Sequence, residues 1–207
     1  MVYESMRPEE MKACAALAAR AFESYDFFSA YVPNAKRRVW FLRSMMKVDY
    51  RVNGGLAHFL TAKENGKIAA IAVLHDPGYK APSGGDYLKA GFWKTMLIGG
   101  YKNVAAWCGM DHEAGRPCRE QASGSWFLHL LAVDTDIEGE GIGSGMIKNC
   151  VIPYVREHGG KSLSLYTNSE INCRFYEKNG FRQFDGRTFS YGGKSFGSWS
   201  YLMDMEQ

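Results

Sequence analysis

Three glycines, Gly139, Gly141 and Gly143, follow an apolar run that ends at Val133 and open the apolar-periodic segment from Gly141 to Val155. Leu128, Leu130, Leu131 and Val133 in that run predict a buried strand, and the segment after the glycines predicts a helix. The first N–H groups of a helix lack internal partners and carry partial positive charge, so a strand feeding a helix through glycines can hold an anion. Glycine lets a ligand approach the backbone and takes φ > 0 at little cost. A helix packed tightly on a sheet with no ligand is the alternative.

Spacing excludes two phosphate motifs. A dinucleotide fingerprint, G-x-G-x-x-G, finds Ser144 in its last place when counted from Gly139 and Met146 when counted from Gly141. For a P-loop, the only Gly-Lys-Ser, Gly193 to Ser195, has Thr188 where the first glycine must stand, and it reads as a hairpin turn between strand-like runs.

A second informative segment, Ser162 to Phe184, reads as a strand, a short helix ending at Gly180, and another strand. The two segments together resemble the Gcn5-related N-acetyltransferase (GNAT) superfamily. There, a strand ending in Val precedes a loop of form [QR]-x-x-G-x-[GA], and an N…FYEK-x-GF segment follows. The matching residues are Val133, then Glu138-Gly139-Glu140-Gly141-Ile142-Gly143, then Asn172, Phe175-Tyr176-Glu177-Lys178 and Gly180-Phe181. The resemblance follows the element order over residues 55–205 and is specific over 126–184. Trp126 to Val133 and the Asn-x-x-Phe-Tyr spacing resemble the puromycin N-acetyltransferase-like branch. Glu138 departs from the family, which has Gln or Arg there.

The resemblance implies acetyl-CoA as cofactor, with its pyrophosphate on the N–H groups of Gly139 to Ser144 and its pantetheine arm added as a strand along Leu131, Ala132 and Val133. It makes Asn172 a cofactor contact and Tyr176 the acid that protonates the leaving thiolate, a task open to a phenol with a reference pKa of about 10. Packing alone is the alternative for Tyr176, and a solvent-facing helix position for Asn172. His129 is the candidate base. Strict strand alternation puts it on the side of Leu131 and Val133, and serotonin N-acetyltransferase, of the same superfamily, resembles this chain in having His at the matching position. A satisfied core histidine is the alternative.

These residues need a scaffold, and 207 residues with 46% hydrophobic content suffice for one domain. In order, the sequence predicts a strand at Val2–Met6, a helix to about Tyr25, a helix over Arg37–Tyr50, and a hairpin of His58–Lys63 with Ile68–His75 across Asn65-Gly66. An insertion over about 76–125 holds one apolar helix, Tyr87 to Val104. The motif strand and helix follow, then a strand at Ser162–Thr167, a helix at Ile171–Asn179, and a closing pair, Arg182–Ser190 with Phe196–Met203. This order fits a single α/β (α+β) domain, a GNAT-like fold with a mixed, mainly antiparallel six- to seven-stranded sheet and helices on both faces.

By fold analogy, Tyr25, Phe27, Phe28 and Tyr31 reach the acceptor; Trp93, Tyr101 and Trp107 of the insertion are the expected aromatic wall because so long a covering segment is usually functional. Cys108, His112 and Cys118 lack a Cys-x-x-Cys pair and read as a surface loop with incidental thiols, so no metal is expected. Five unclustered cysteines suit a reducing cytoplasm. The N-terminal stretch has no basic leader region, and no run reaches 18 apolar residues. The net charge of +3 is mild and Lys and Arg are spread out apart from Lys36-Arg37-Arg38, so nucleic acid is not expected as a partner, and with no long apolar run neither is a membrane. The resulting expectation is a cytoplasmic N-acetyltransferase, monomer or homodimer, moving acetyl from acetyl-CoA to a primary amine of a small molecule or peptide. A non-catalytic acyl-CoA-binding or sensor protein is the alternative.

Overall fold

The computed structural model describes residues 1–205. Seven strands, Val2–Ser5 (β1), His58–Glu64 (β2), Lys67–His75 (β3), Trp126–Val133 (β4), Ser162–Thr167 (β5), Arg182–Tyr191 (β6) and Lys194–Asp204 (β7), form one open sheet in the order β1-β2-β3-β4-β5-β7-β6. Every neighbouring pair is antiparallel except β4 with β5. The fold is therefore the expected mixed, mainly antiparallel one. The β2–β3 hairpin turns at Asn65 (φ 49°) and Gly66 (φ 77°), the double left-handed geometry that Asn-Gly favours.

The pleat sorts the strands between two cores. Ala70, Ala72 and Leu74 of β3 face one, with Met146, Ile147, Val151, Val155 and Tyr176. Ile71 and Val73 face the other, against Leu17 of α1 (Met11–Ala21) and Met46 of α3 (Ala35–Asn53). Helix α3 begins where the Asn34 side chain accepts the Arg37 N–H at 3.0 Å. A third core joins α3 to a short helix absent from the sequence reading, α2 (Asp26–Ser29), through Phe27, Phe28, Phe41 and Leu42.

The stretch between β3 and β4 holds four helices where one was expected: α4 (Gly84–Lys89), α5 (Phe92–Gly99), α6 (Tyr101–Ala114) and α7 (Arg116–Gln121). Gly91 (φ 104°) and Gly100 (φ 88°) divide the apolar segment because their backbone leaves the helical region. Cys108 and His112 thus lie on α6 and Cys118 on α7, correcting the surface-loop expectation, and the buried Cys118 thiol donates to the Leu165 carbonyl at 3.3 Å.

After β4 comes a continuous helix, α8 (Ile142–Met146), a π turn (Ile147–Val151) and α9 (Ile152–Glu157). Pro153 cannot donate to the carbonyl four residues back. One widened turn absorbs the mismatch, with Ile152 N–H bonded to Ile147 O. Helix α10 (Glu170–Lys178) ends at Gly180, φ 91°, as the sequence predicts.

Candidate active site

The sheet opens where the sequence places its chemistry. Strands β4 and β5 pair only at Trp126 with Leu163 and Phe127 with Ser164, and beyond them Leu128 to Val133 have no partner on that side. Asp134 N–H donates to Ala69 O of β3 at 2.8 Å, so positions in phase with it, such as Ala132, turn their backbone groups toward β3. Leu131 and Val133 then turn theirs to the open edge. An extended ligand could pair there as an added strand.

A bulge shapes this strand. Leu74 pairs with Leu128 and Val73 with Leu130, leaving His129 as the extra residue. Leu128 is buried in the same core against which Leu131 and Val133 pack, whereas Leu130 and Ala132 belong to the α1–α3 core. The expected alternation is therefore corrected. His129 is not on the side of Leu131 and Val133; its exposed ring stacks on His75 at 4.7 Å, near Phe127, which stacks on Tyr166.

Across the mouth of the opening lies the glycine loop. Gly139 (φ 90°) and Gly141 (φ 82°) are left-handed, and a Cβ built on either meets nothing within 4 Å. The first intrahelical bond runs from Gly145 N–H to Gly141 O at 2.8 Å, so the N–H groups of Ile142, Gly143 and Ser144 have no partner within the helix. Gly143 serves packing, since a Cβ there would stand 3.1 Å from the Phe175 ring of α10 and 3.5 Å from Val133. Glu138 and Glu140 are exposed. Asp134 is not: its carboxylate accepts Asp136 N–H at 3.3 Å and pairs with Arg20 of α1 at 3.0 Å.

Helix α10 closes the other side. Tyr176 is buried among Phe175, Phe181 and Tyr201, and burial first, then Tyr25 and Cys173, raises its pKa well above that of a free phenol. Asn172 donates to Thr167 Oγ1 at 3.4 Å. Tyr25 joins the same cluster through Thr167 Oγ1 at 3.2 Å, and its oxygen accepts Asn168 N–H at 3.1 Å. Thr167 and Asn168 escaped the sequence reading, although two polar residues ending a buried strand were the signal.

On the face bearing His129, two further groups were missed. His75 lies between the rings of Tyr79 (3.8 Å) and His129, and burial, then the positive charges of His129 and His58, lower its pKa to about 2. Asp111 of α6 accepts the Tyr166 hydroxyl at 2.5 Å. Burial raises its pKa, while the Tyr166 hydrogen bond and next the charge of His129 oppose that rise. Of the expected acceptor wall, Trp107 packs on Phe28 at 5.5 Å, and Phe27, Phe28 and Tyr31 are buried. Trp93 and Tyr101 stand 50% and 68% exposed, away from that cluster.

Such a sheet, split between two parallel strands with a glycine loop at the split, defines an acyltransferase-type fold. Residues 101–183 match the model of the acetyltransferase (GNAT) domain, a span that holds the candidate catalytic and cofactor-contacting residues, His129 to Tyr176. No curated protein matches the sequence. Among solved structures, a histone acetyltransferase HPA2 and related acetyltransferase from Corynebacterium glutamicum superposes with a TM-score of 0.63 at 14% identity, covering 96% of this chain and 94% of that one. A Gcn5-related N-acetyltransferase, described as an aminotransferase of class II, from Rhodopseudomonas palustris gives 0.57 at 15% identity, covering 98% and 94%. A ribosomal-protein-alanine N-acetyltransferase from Brucella melitensis gives 0.57 at 13%, covering 99% of each chain. The fold is the GNAT fold.

Proposed function

We propose that this single-domain chain is an acetyl-CoA-dependent N-acetyltransferase for a primary amine of a small molecule or peptide. The observation that carries the reading is the unpaired edge of β4 with the left-handed Gly139 and Gly141 at its mouth and nothing occupying the space above them. That cradle fits a pyrophosphate at the backbone, and the open edge at Leu131 and Val133 fits the amides of pantetheine. The exposed Glu138 and Glu140 do not assist, so backbone N–H groups from Gly139 to Ser144 hold the phosphates against them. Trp126 to Val133 and the Asn172, Phe175, Tyr176 spacing ally the chain with puromycin N-acetyltransferase-like members.

The bound thioester supplies an electrophilic carbonyl. His129, exposed on the bulge, takes a proton from the acceptor ammonium directly or through water, freeing the lone pair that attacks that carbonyl. As the C–S bond breaks, Tyr176 gives its proton to the thiolate and regains one from the nitrogen that becomes the amide, and its raised pKa keeps that proton in place beforehand. Asn172, held by Thr167, borders the thiol end.

Two measurements test this reading. A rise in Tm with acetyl-CoA, which binds only the folded chain, is expected, together with release of free thiol on an amine panel. No rise at saturating acetyl-CoA refutes it. A rise with no turnover on any amine supports the non-catalytic acyl-CoA-binding reading, toward which the acidic loop points.

A further inference from the structure

Lys and Arg residues that are spread along the sequence gather in the structure. Residues 35–53 and 80–104 hold ten Lys or Arg, of which only Arg38 is buried, and two acids, a balance of +8 in a chain of +3, so the remainder carries −5. Along α3 the residues Lys36, Trp40, Arg43, Lys47 and Arg51 recur at steps of three or four and form one stripe. On α5, Trp93 and Leu97 lie four residues apart on a second, and exposed Tyr101 opens α6 just past Gly100.

Three contacts lay the stripes side by side. Arg37 donates to Ile98 O at 3.0 Å, Ser44 and Thr95 hydroxyls meet at 2.6 Å, and Arg51 donates to Ala90 O at 3.2 Å, so α3 runs antiparallel to α5. The combined face exposes Trp40 (63%), Trp93 (50%), Leu97 (70%) and Tyr101 (68%) among basic residues, with Lys94 over the Trp93 ring. Its two acids are engaged elsewhere. Asp49 accepts from Asn53 at 2.8 Å, and Asp86 caps α4 through Ser83 at 2.6 Å.

We propose that this face docks the protein on an anionic lipid bilayer, lying in the headgroup plane. Lys and Arg meet the lipid phosphates, Trp and Tyr sit at headgroup level, and Leu97 enters the acyl boundary. Leu97 argues against a nucleic acid: its aliphatic side chain neither stacks on a base nor hydrogen-bonds a phosphate, and it gains by leaving water for an apolar phase such as the acyl boundary. Among the described residues no helix is long and apolar enough to cross a membrane, so the contact is peripheral. This departs from the expectation of no membrane partner, which rested on the lack of a long apolar run, and it stands independently of acetyl transfer.

The test is co-sedimentation of the full chain with phosphatidylcholine vesicles, with and without phosphatidylglycerol, alongside tryptophan emission and a polyuridylate RNA arm. Binding to the anionic vesicles is expected, weakening with salt. Their emission should shift to the blue, because Trp40 and Trp93 are the exposed members of five tryptophans. Arg43→Gln with Lys47→Gln should weaken it about 30-fold, each basic residue near an anionic surface contributing about fivefold. Leu97→Ser should weaken it about tenfold or more. None of the three positions is buried, so an unchanged Tm confirms folding. No vesicle binding, equal binding to neutral vesicles, variants that bind like wild type, or retention on RNA alone each overturn the proposal.

Discussion

Gly141→Ala separates a ligand cradle from a helix start that merely packs. At φ 82° an L-residue is strained, by roughly 1–2 kcal/mol. For a chain of this length 1 kcal/mol lowers Tm by about 2–4 °C, so a fall of about 2–8 °C follows from conformation alone. The new methyl meets no protein atom within 4 Å, so packing adds nothing. It projects instead into the space assigned to the pyrophosphate. Losing one hydrogen bond to a charged oxygen costs about 1.5–3 kcal/mol, which weakens acetyl-CoA by about 10- to 150-fold. Gly143→Ala is the counterpart: its methyl presses on Phe175 at 3.1 Å, so it destabilises by packing. Calorimetric titration of both variants with acetyl-CoA, beside their melting curves, gives the comparison. If Gly141→Ala lowers Tm yet binds acetyl-CoA like wild type, no phosphate rests on this loop.

Three further outcomes follow from the same site. Tyr176→Phe is expected to lower kcat by about 10²–10⁴ with the Kd of acetyl-CoA nearly unchanged, and a loss under about threefold would assign the proton to water or another group. His129→Ala should abolish the acidic limb of the pH–rate profile; His75, held near a pKa of about 2, cannot supply the limb, and an unmoved limb would return His129 to a structural role. Glu138→Gln should tighten acetyl-CoA by a few-fold to about tenfold at low salt, with less gain at high salt, whereas weaker binding would mean that Glu138 holds the loop in shape.

What was legible in the sequence was local. Asn65-Gly66 fixed its hairpin, Gly180 ended its helix, and the order of apolar segments gave seven strands in sequence because each signal lies within a few residues. The glycine loop and the residues of α10 were legible through their spacing. Thr167, Asn168, Asp111 and His75 were not, since each earns its place from a partner far along the chain: Tyr25 for the first two, Tyr166 for Asp111 and His129 for His75. The four-helix insertion was blurred because an apolar run interrupted by Gly91 and Gly100 has the composition of one helix.

The bulge on β4 shows why side-chain direction resists sequence reading where it matters most. Both faces of that strand are covered, so Leu128, Leu130, Leu131, Ala132 and Val133 are all apolar and carry no alternation that could reveal a shift of phase. A strictly alternating strand would send Leu128, Leu130 and Ala132 to one core. Absorbing one residue at His129 instead returns Leu131 and Val133 to the core that holds Leu128. The displaced residue is left exposed and stacked on His75, two positions past the last pairing with β5. One inserted residue thus keeps both cores filled while placing a titratable ring at the point where the strands part.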